Sequence, residues 1–369
     1  MRAERRRFTP ADLPAGLDDL RDGRYADAYF NRARTILQAD GRRPRVRMQV
    51  FVRTPAVLCG MDEALAVLRL ASGERMADGA WRDGYAALRV AALSDGDDVA
   101  PFETVLTIEG DYVSFAHLET IYLGLLTRRT RIATNGRALV AAAGEKPVLF
   151  FPARYDHPAV QAGDGYAARI AGVRGVSTDA GAAWFGGRGL GTIPHALISA
   201  YGGDTVLATQ QFAARIDPAI DVIALVDFDN DCVGTSLAVA RALGPRLWGV
   251  RLDTSSLLVD VSLIAQMGAF APTGVNAQLV RTVRAALDAE GFTHVRIVAS
   301  GGFDAAKIRA FEAERVPVDV YAVGSAFFAN AGEFDFTADI VAIDDGAGWR
   351  PAHKTGRPER PNPRLAPAD

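Results

Sequence analysis

The stretch VIALVDFDND places three carboxylates, Asp227, Asp229 and Asp231, directly behind an apolar run. At the end of a strand, carboxylates so spaced can hold Mg2+ through water or accept hydrogen bonds from sugar hydroxyls. Asp229 and Asp231 could equally serve as N-caps of the helix that follows. In GVRLDTSS a further carboxylate, Asp253, closes the next apolar run, so that two successive endings would form a shared acidic rim. Two later endings carry glycine and serine: Ser300, Gly301 and Gly302 in IVASGGFDAAKI, and Gly324 and Ser325 in VYAVGSAFF. Glycine lets the backbone approach a ligand closely, and the N–H groups at a helix start attract phosphate without basic side chains. One such ending is compatible with a tight turn; two in succession resemble the split phosphate grip of phosphate-binding barrels.

Other residue types complete the set. His195 follows Gly191, Thr192 and Pro194 in GLGTIPHALISAYGG and has the most suggestive surroundings of the five histidines, ahead of His157 in ARYDHPAV. A histidine beside an apolar stretch can be structural or catalytic, and its type alone leaves both open. Arg154 ends the run FFPAR, and Arg131 and Arg137 lie in TRIATNGRAL. A guanidinium fork matches a carboxylate or phosphate at two points, with surface solvation as the alternative for each arginine. Tyr29 and Phe30, in YADAYFNRARTIL, suit stacking on a flat ring or packing in a core.

These residues need strands to present them. From Pro147 onward short apolar runs alternate with helical stretches: PVLFFP, GVRGVST, TVLAT, VIALVDFD, LWGVRLD, VRIVASGG and VDVYAVGS are the strand candidates, while GTSLAVARALG, GVNAQLVRTVRAALDAEG and DAAKIRAFEAE are helical. That rhythm predicts βα units on a parallel sheet, closed as an irregular barrel, with an open doubly wound sheet as the competitor. Functional groups then gather at the C-terminal ends of the strands. Ahead of this, RVRMQVFVRT, MDEALAVLRLAS and WRDGYAALRVAAL read as strand, helix and strand of a small α/β unit. YVSFAHLETIYLGLLTRRTRIATNGRALVAAAG reads as two helices in series, with Gly144 as the stop. The Pro- and Arg-rich tail from Trp349 suits an extended strap.

Composition narrows the functional class. The chain of 369 residues is 49% hydrophobic and 23% charged, ordinary for a globular enzyme of two domains. No run of about 18 apolar residues occurs, and the basic N-terminus lacks a secretory apolar stretch, so the chain is expected in the cytoplasm with no membrane partner. A net charge of −3 gives no general attraction to nucleic acid. Two cysteines, Cys59 and Cys232, are too few for a disulfide framework or a cysteine-based zinc site, and are expected as buried small apolar residues.

In order along the chain, YADAYFNRARTIL, IEGDY, HLET, TRIATNGR, FFPARYDHP, GVSTDAG, GTIPH, LVDFDND, GVRLDTSS, ASGGFD, AVGSAF and KTGR resemble nicotinate phosphoribosyltransferase, in register from about Tyr25 to Arg364. The resemblance implies a type II phosphoribosyltransferase: an irregular α/β barrel (126–330) with a smaller α/β sandwich N-terminal domain (1–125) and a C-terminal extension (331–369) packing back on it. It implies nicotinate and phosphoribosyl pyrophosphate as substrates, ATP as co-substrate, Mg2+ as cofactor, and a homodimer or higher homo-oligomer with shared active sites. It makes His195 the histidine that ATP phosphorylates and places Asp227 and Asp253 near the ribose and its Mg2+, with Asp227 and Asp229 as the metal pair. Ser300, Gly301, Gly302, Gly324 and Ser325 become the 5′-phosphate grip. Arg154 contacts pyrophosphate or the pyridine carboxylate, Thr192 and Arg137 belong to the substrate site, and Tyr29 stacks on the ring across the dimer. Tyr155 stands where many relatives carry a second arginine, and TSS after Asp253 is closer to an archaeal-like branch. Quinolinate and nicotinamide transferases, and a non-catalytic phosphoribosyl pyrophosphate-binding protein, are the alternatives; GTIPH argues against the quinolinate enzyme, which uses no ATP.

Overall fold

A computed structural model of the chain describes residues 6–13, 15–330 and 332–368. They fall into two units, one taking in the chain up to Thr134 together with Phe328 onward, the other Asn135–Phe327. No helix among the described residues is long and apolar enough to cross a membrane.

The first unit is built on an antiparallel sheet in the order Trp349–Pro351, Thr337–Asp344, Arg45–Phe51, Thr104–Asp111, Arg89–Ala92, Ala366–Pro367. RVRMQV alternates polar with apolar residues, so Val46, Met48 and Val50 are buried. On the other face Arg47 lies opposite Glu109 and pairs with it at 2.7 Å. The helix Met61–Ala71 is buried at nearly every position in the same core. Its N-cap, Gly60, has φ +91°, and a Cβ there would lie 2.9 Å from Arg129 Cγ, so this entry requires glycine. The tail runs extended, as its proline content predicts. Between its two strands Arg360 N–H donates to Gln49 Oε1 at 2.9 Å and Asn362 Nδ2 to the Thr104 carbonyl at 2.8 Å.

Two helices in series were expected before Gly144. Instead, short 3-10 turns at Tyr112–Ser114 and Ala116–Leu118 lead into one helix, Glu119–Ala143. Neither Gly124 nor Gly136 breaks it. At Gly136 a Cβ would come within 2.7 Å of Ala171 Cβ, so the glycine serves close packing rather than termination. Gly144, at φ +62°, does end the helix.

The second unit holds a curled parallel sheet in the order Val222–Leu225, Leu247–Leu252, Arg296–Ala299, Val320–Val323, Val148–Phe150, Gly175–Val176. The first and last of these strands are bridged by a loop: Leu190 N–H donates to Val176 O at 2.7 Å, and Ile193 N–H to Ile223 O at 3.3 Å. The barrel is therefore irregular, its gap spanned by the GLGTI segment. TVLAT, expected as a strand, is the start of the helix Thr205–Arg215. Asp204 caps it by accepting from Leu207 N–H at 2.8 Å, a local bond that outweighs the β preference of Thr and Val. Asp231, Asn276 and Asp304 cap the helices Cys232–Leu243, Ala277–Ala289 and Ala305–Ala313 in the same way.

Candidate active site

Strand ends of the parallel sheet bring the predicted Thr192, Asp253 and Ser300 together around a residue that was not predicted. Arg251 lies in Leu247–Leu252, where its long stem is partly buried among apolar neighbours and its guanidinium reaches the C-terminal rim. Its Nε donates to Ser300 Oγ at 2.8 Å, Nη1 to Thr192 Oγ1 at 3.1 Å, and Nη2 to Asp253 Oδ2 at 2.9 Å. The Phe151 ring lies 5.6 Å beneath it. One cation thus ties three strand ends and the closing loop into a single network. A guanidinium carries five N–H donors, so those not used here are left for a ligand. GVRLD was read for its aspartate alone. The overlooked signal is an arginine in an apolar strand, a position expensive to fill unless its charge is used.

Asp253 also accepts from Ser300 Oγ at 2.7 Å. Because that hydroxyl is buried and engaged on both sides, Ser300 acts here as a brace for Arg251 and Asp253. What this ending offers an anion is the backbone of Gly301 and Gly302, at φ +85° and +72°, conformations that favour glycine. Lys307 adds a cation, its Nζ donating to Gly301 O at 3.3 Å while sitting 4.2 Å over the Phe303 ring. Burial lowers the pKa of this ammonium.

His195 opens the short helix His195–Ala200, and its Nε2 lies 3.0 Å from Asp227 Oδ1. Asp227 is nearly buried while the imidazole is half exposed. Burial raises the Asp227 pKa; the neighbouring His195 opposes that rise, and Asp253 adds to it. With the carboxylate ionised, Nε2 must donate the hydrogen bond, so the Nδ1 lone pair is the basic, nucleophilic atom of the ring. Asp231 is the N-cap that the alternative reading allowed, accepting from Gly234 N–H at 2.9 Å. Asp229 is exposed and caps nothing. No group of three or more His, Cys, Asp or Glu side chains converges as a metal cage among the described residues. Asp227 and Asp253 at adjacent strand ends nevertheless suit Mg2+, which commonly takes one or two carboxylates and completes its shell with water and phosphate oxygens.

At the Val320–Val323 ending, Gly324 is covered by the Tyr155 ring. A Cβ on the glycine would lie 3.1 Å from Tyr155 Cε2, so this glycine is a close approach as well as a turn. Ser325 starts a 3-10 turn, Ser325–Phe328. Arg154 is exposed and makes no ion pair among the described residues. Arg137 lies part-buried on Glu119–Ala143. Tyr29 belongs to the first unit, on the exposed helix Ala28–Ala39, where its hydroxyl donates to Asp27 at 3.1 Å and its ring lies 4.4 Å from Phe30. Both cysteines are buried and burial pushes their thiols up, as the apolar reading requires.

Residues 27–130 match the family model "Quinolinate phosphoribosyl transferase, N-terminal domain". The crystal structure of nicotinate-nucleotide pyrophosphorylase from Pyrococcus furiosus is 33% identical, with a TM-score of 0.77, over 93% of this chain and 80% of that one. The chain belongs to the same family as that pyrophosphorylase. Among curated relatives, nicotinate phosphoribosyltransferase pncB1 of Mycobacterium tuberculosis is 31% identical over 255 residues, 68% of this chain and 50% of the relative. The chain therefore spans about half the length of that curated relative. Human nicotinic acid phosphoribosyltransferase, 19% identical with a TM-score of 0.65 over 90% of this chain and 77% of that one, shares the fold. The likeness to these solved structures extends to the fold with its curled parallel sheet.

Proposed function

We propose that the chain transfers the phosphoribosyl group of phosphoribosyl pyrophosphate to nicotinate, forming nicotinate mononucleotide and pyrophosphate, with ATP hydrolysis coupled through His195. The observation that carries this reading is the Arg251 network, a braced guanidinium beside two carboxylates and a glycine turn. Such transfer passes through an oxocarbenium-like ribosyl centre, which requires positioning and charge stabilisation more than a strong nucleophile. Asp227 and Asp253 supply negative charge and hydrogen-bond acceptors for the ribose. Gly301 and Gly302, with Lys307 beside them, receive the 5′-phosphate, together with Gly324 and Ser325. The spare donors of Arg251 would take a planar carboxylate, and the exposed Arg154 would meet pyrophosphate. When bound by Asp227, Asp229 or Asp253, Mg2+ would neutralise the departing pyrophosphate.

The His195–Asp227 pair supports the ATP-coupled step: Asp227 holds Nε2–H, leaving Nδ1 to accept a phosphoryl group. A homodimer, with Tyr29 reaching a partner's site, and a cytoplasmic location complete the reading. Quinolinate remains the second substrate candidate because the family model matched by residues 27–130 is named for that transferase. A dicarboxylate would call for a second fixed cation near Arg251.

The test is pyrophosphate release by the purified chain with phosphoribosyl pyrophosphate and Mg2+, comparing nicotinate, quinolinate and nicotinamide, each with and without ATP. Nicotinate turnover accelerated by ATP is expected, and His195→Ala should lose the acceleration while keeping slow ATP-independent turnover. Turnover of quinolinate alone overturns the substrate; unchanged ATP stimulation in His195→Ala overturns the role of the histidine.

A further inference from the structure

The opposite ends of the same strands carry a second constellation. Where Arg296–Ala299 and Val320–Val323 begin, a cleft of about 730 Å3 is lined by Lys146, Arg284, His294, Arg296, Glu312 and Arg315, among others. That volume is typical of small-molecule sites. A smaller cleft of about 260 Å3 shares His294 and Arg296 and adds Asp221, Arg246 and Trp248.

Four cationic side chains, Lys146, Arg284, Arg296 and Arg315, face three carboxylates in the larger cleft. Every carboxylate lining the larger cleft is engaged: Asp288 with Arg284 at 2.7 Å, Glu312 with Lys146 at 2.8 Å and with the Tyr321 hydroxyl, and Asp319 with the Ile297 N–H at 2.7 Å. Arg296 and Arg315 make no ion pair among the described residues. Arg296 instead lies over the Trp248 ring at 4.8 Å, and Arg246 donates to the Pro218 carbonyl. His294 contacts the Gly244 carbonyl at 3.3 Å.

Arg315 has a second peculiarity. It follows Glu314, the C-cap of Ala305–Ala313, and has φ +53°. At this position, just beyond a helix, the left-handed conformation favours glycine. A long cationic side chain is therefore kept where the backbone alone would prefer none, beside a cleft whose carboxylates are already spoken for.

We propose that this cleft binds a small anion carrying two or more phosphate-type charges, such as the diphosphate of a nucleotide, with Arg296 and Arg315 as its guanidinium ligands. Two forks of this kind match phosphoryl oxygens at two points each. His294 and the Thr293 hydroxyl complete the lining. The overall charge of −3 repels a free anion, so binding rests on this local cluster and weakens with salt. The proposal is independent of the reaction assigned to the other end of the sheet.

The test is isothermal titration of the full chain with ADP at low ionic strength, for the native protein and for the R296Q/R315G double variant. The native chain should show a binding event that the double variant weakens by about ten-fold or more, as expected for lost hydrogen bonds to a charged group. R315G alone should raise the thermal midpoint, because glycine relieves the backbone, while still lowering ADP affinity. That combination keeps the binding loss from being an effect of misfolding. Absence of ADP binding to the native chain, or an isotherm unchanged in the double variant, overturns the proposal.

Discussion

The ionisable groups buried in the first unit contrast with the constellation at the rim of the second. In the first unit such groups are sealed inside. Glu63 and Arg129 form a pair at 2.7 Å with both side chains almost fully buried. Burial, with a neighbouring carboxylate, pushes Asp95 up to about 8 and does the same to Glu119. Burial also holds His117 down at about 3. In the second unit, His195, Asp227, Arg251 and Asp253 stand at a rim, partly open to solvent, each bonded to another polar group and several with capacity to spare. None of these shifted first-unit groups belongs to the constellation at that rim. In this chain they report desolvation within a core, whereas the site is marked by convergence and access.

That contrast can be broken most forcefully at Arg129. Arg129→Met leaves Glu63 as a buried carboxylate without its cation and should cost about 3–5 kcal/mol of stability, read from denaturant unfolding. A loss below about 1 kcal/mol would mean that the first unit tolerates unpaired charge much as a surface does. Next in size, Arg251→Ala should lower the rate of pyrophosphate release by about 100-fold, or about 2.7 kcal/mol. Its unfolding midpoint should move much less than that of Arg129→Met. If the two substitutions instead have the same profile, Arg251 is structural and the comparison collapses.

The effect that is smallest per step, accumulating gradually, concerns pH. His117 sits fully buried with Nε2 donating to the Ala71 carbonyl at 3.2 Å, so the folded state holds it neutral. Its folded pKa, about 3, lies below the ordinary value of 6.5, and the unfolded chain therefore binds a proton first as pH falls. The stabilisation is complete above pH 6.5 and is lost on acidification toward pH 3, by at most about 1.4 kcal/mol per pH unit. In His117→Gln that slope should flatten between pH 6 and 4. An unaltered slope would show that other groups govern acid stability.

Much of the architecture was readable in advance. Apolar runs ending in Asp, Ser or Gly identified Val222–Leu225, Leu247–Leu252, Arg296–Ala299 and Val320–Val323 and put the site at their C-terminal ends. The reading failed where a local bond competed with composition. Asp204 turned TVLAT into a helix, and close packing carried Glu119–Ala143 through Gly136 without a break. In the site, Thr192, His195, Asp227, Asp253 and Ser300 were all identified by their place behind an apolar run or near a helix start. Arg251 and Lys307 were not, because one lies inside a strand and the other inside a helix, where a charge is ordinarily taken for a solvated surface residue.

Residue order by itself determined which elements form and which polar groups follow them, because period, caps and strand-ending residues are local properties. It determined that His195 precedes a helix and that Asp227 and Asp253 end successive strands. Only the tertiary structure decided which of those groups touch. That Asp227 faces His195, that Asp231 turns back to cap its own helix, and that one guanidinium joins Thr192, Asp253 and Ser300 all depend on the parallel register and on the loop spanning the sheet's gap. Hydrogen bonds are directional and short, so proximity across 32 or 59 positions of chain is set by packing.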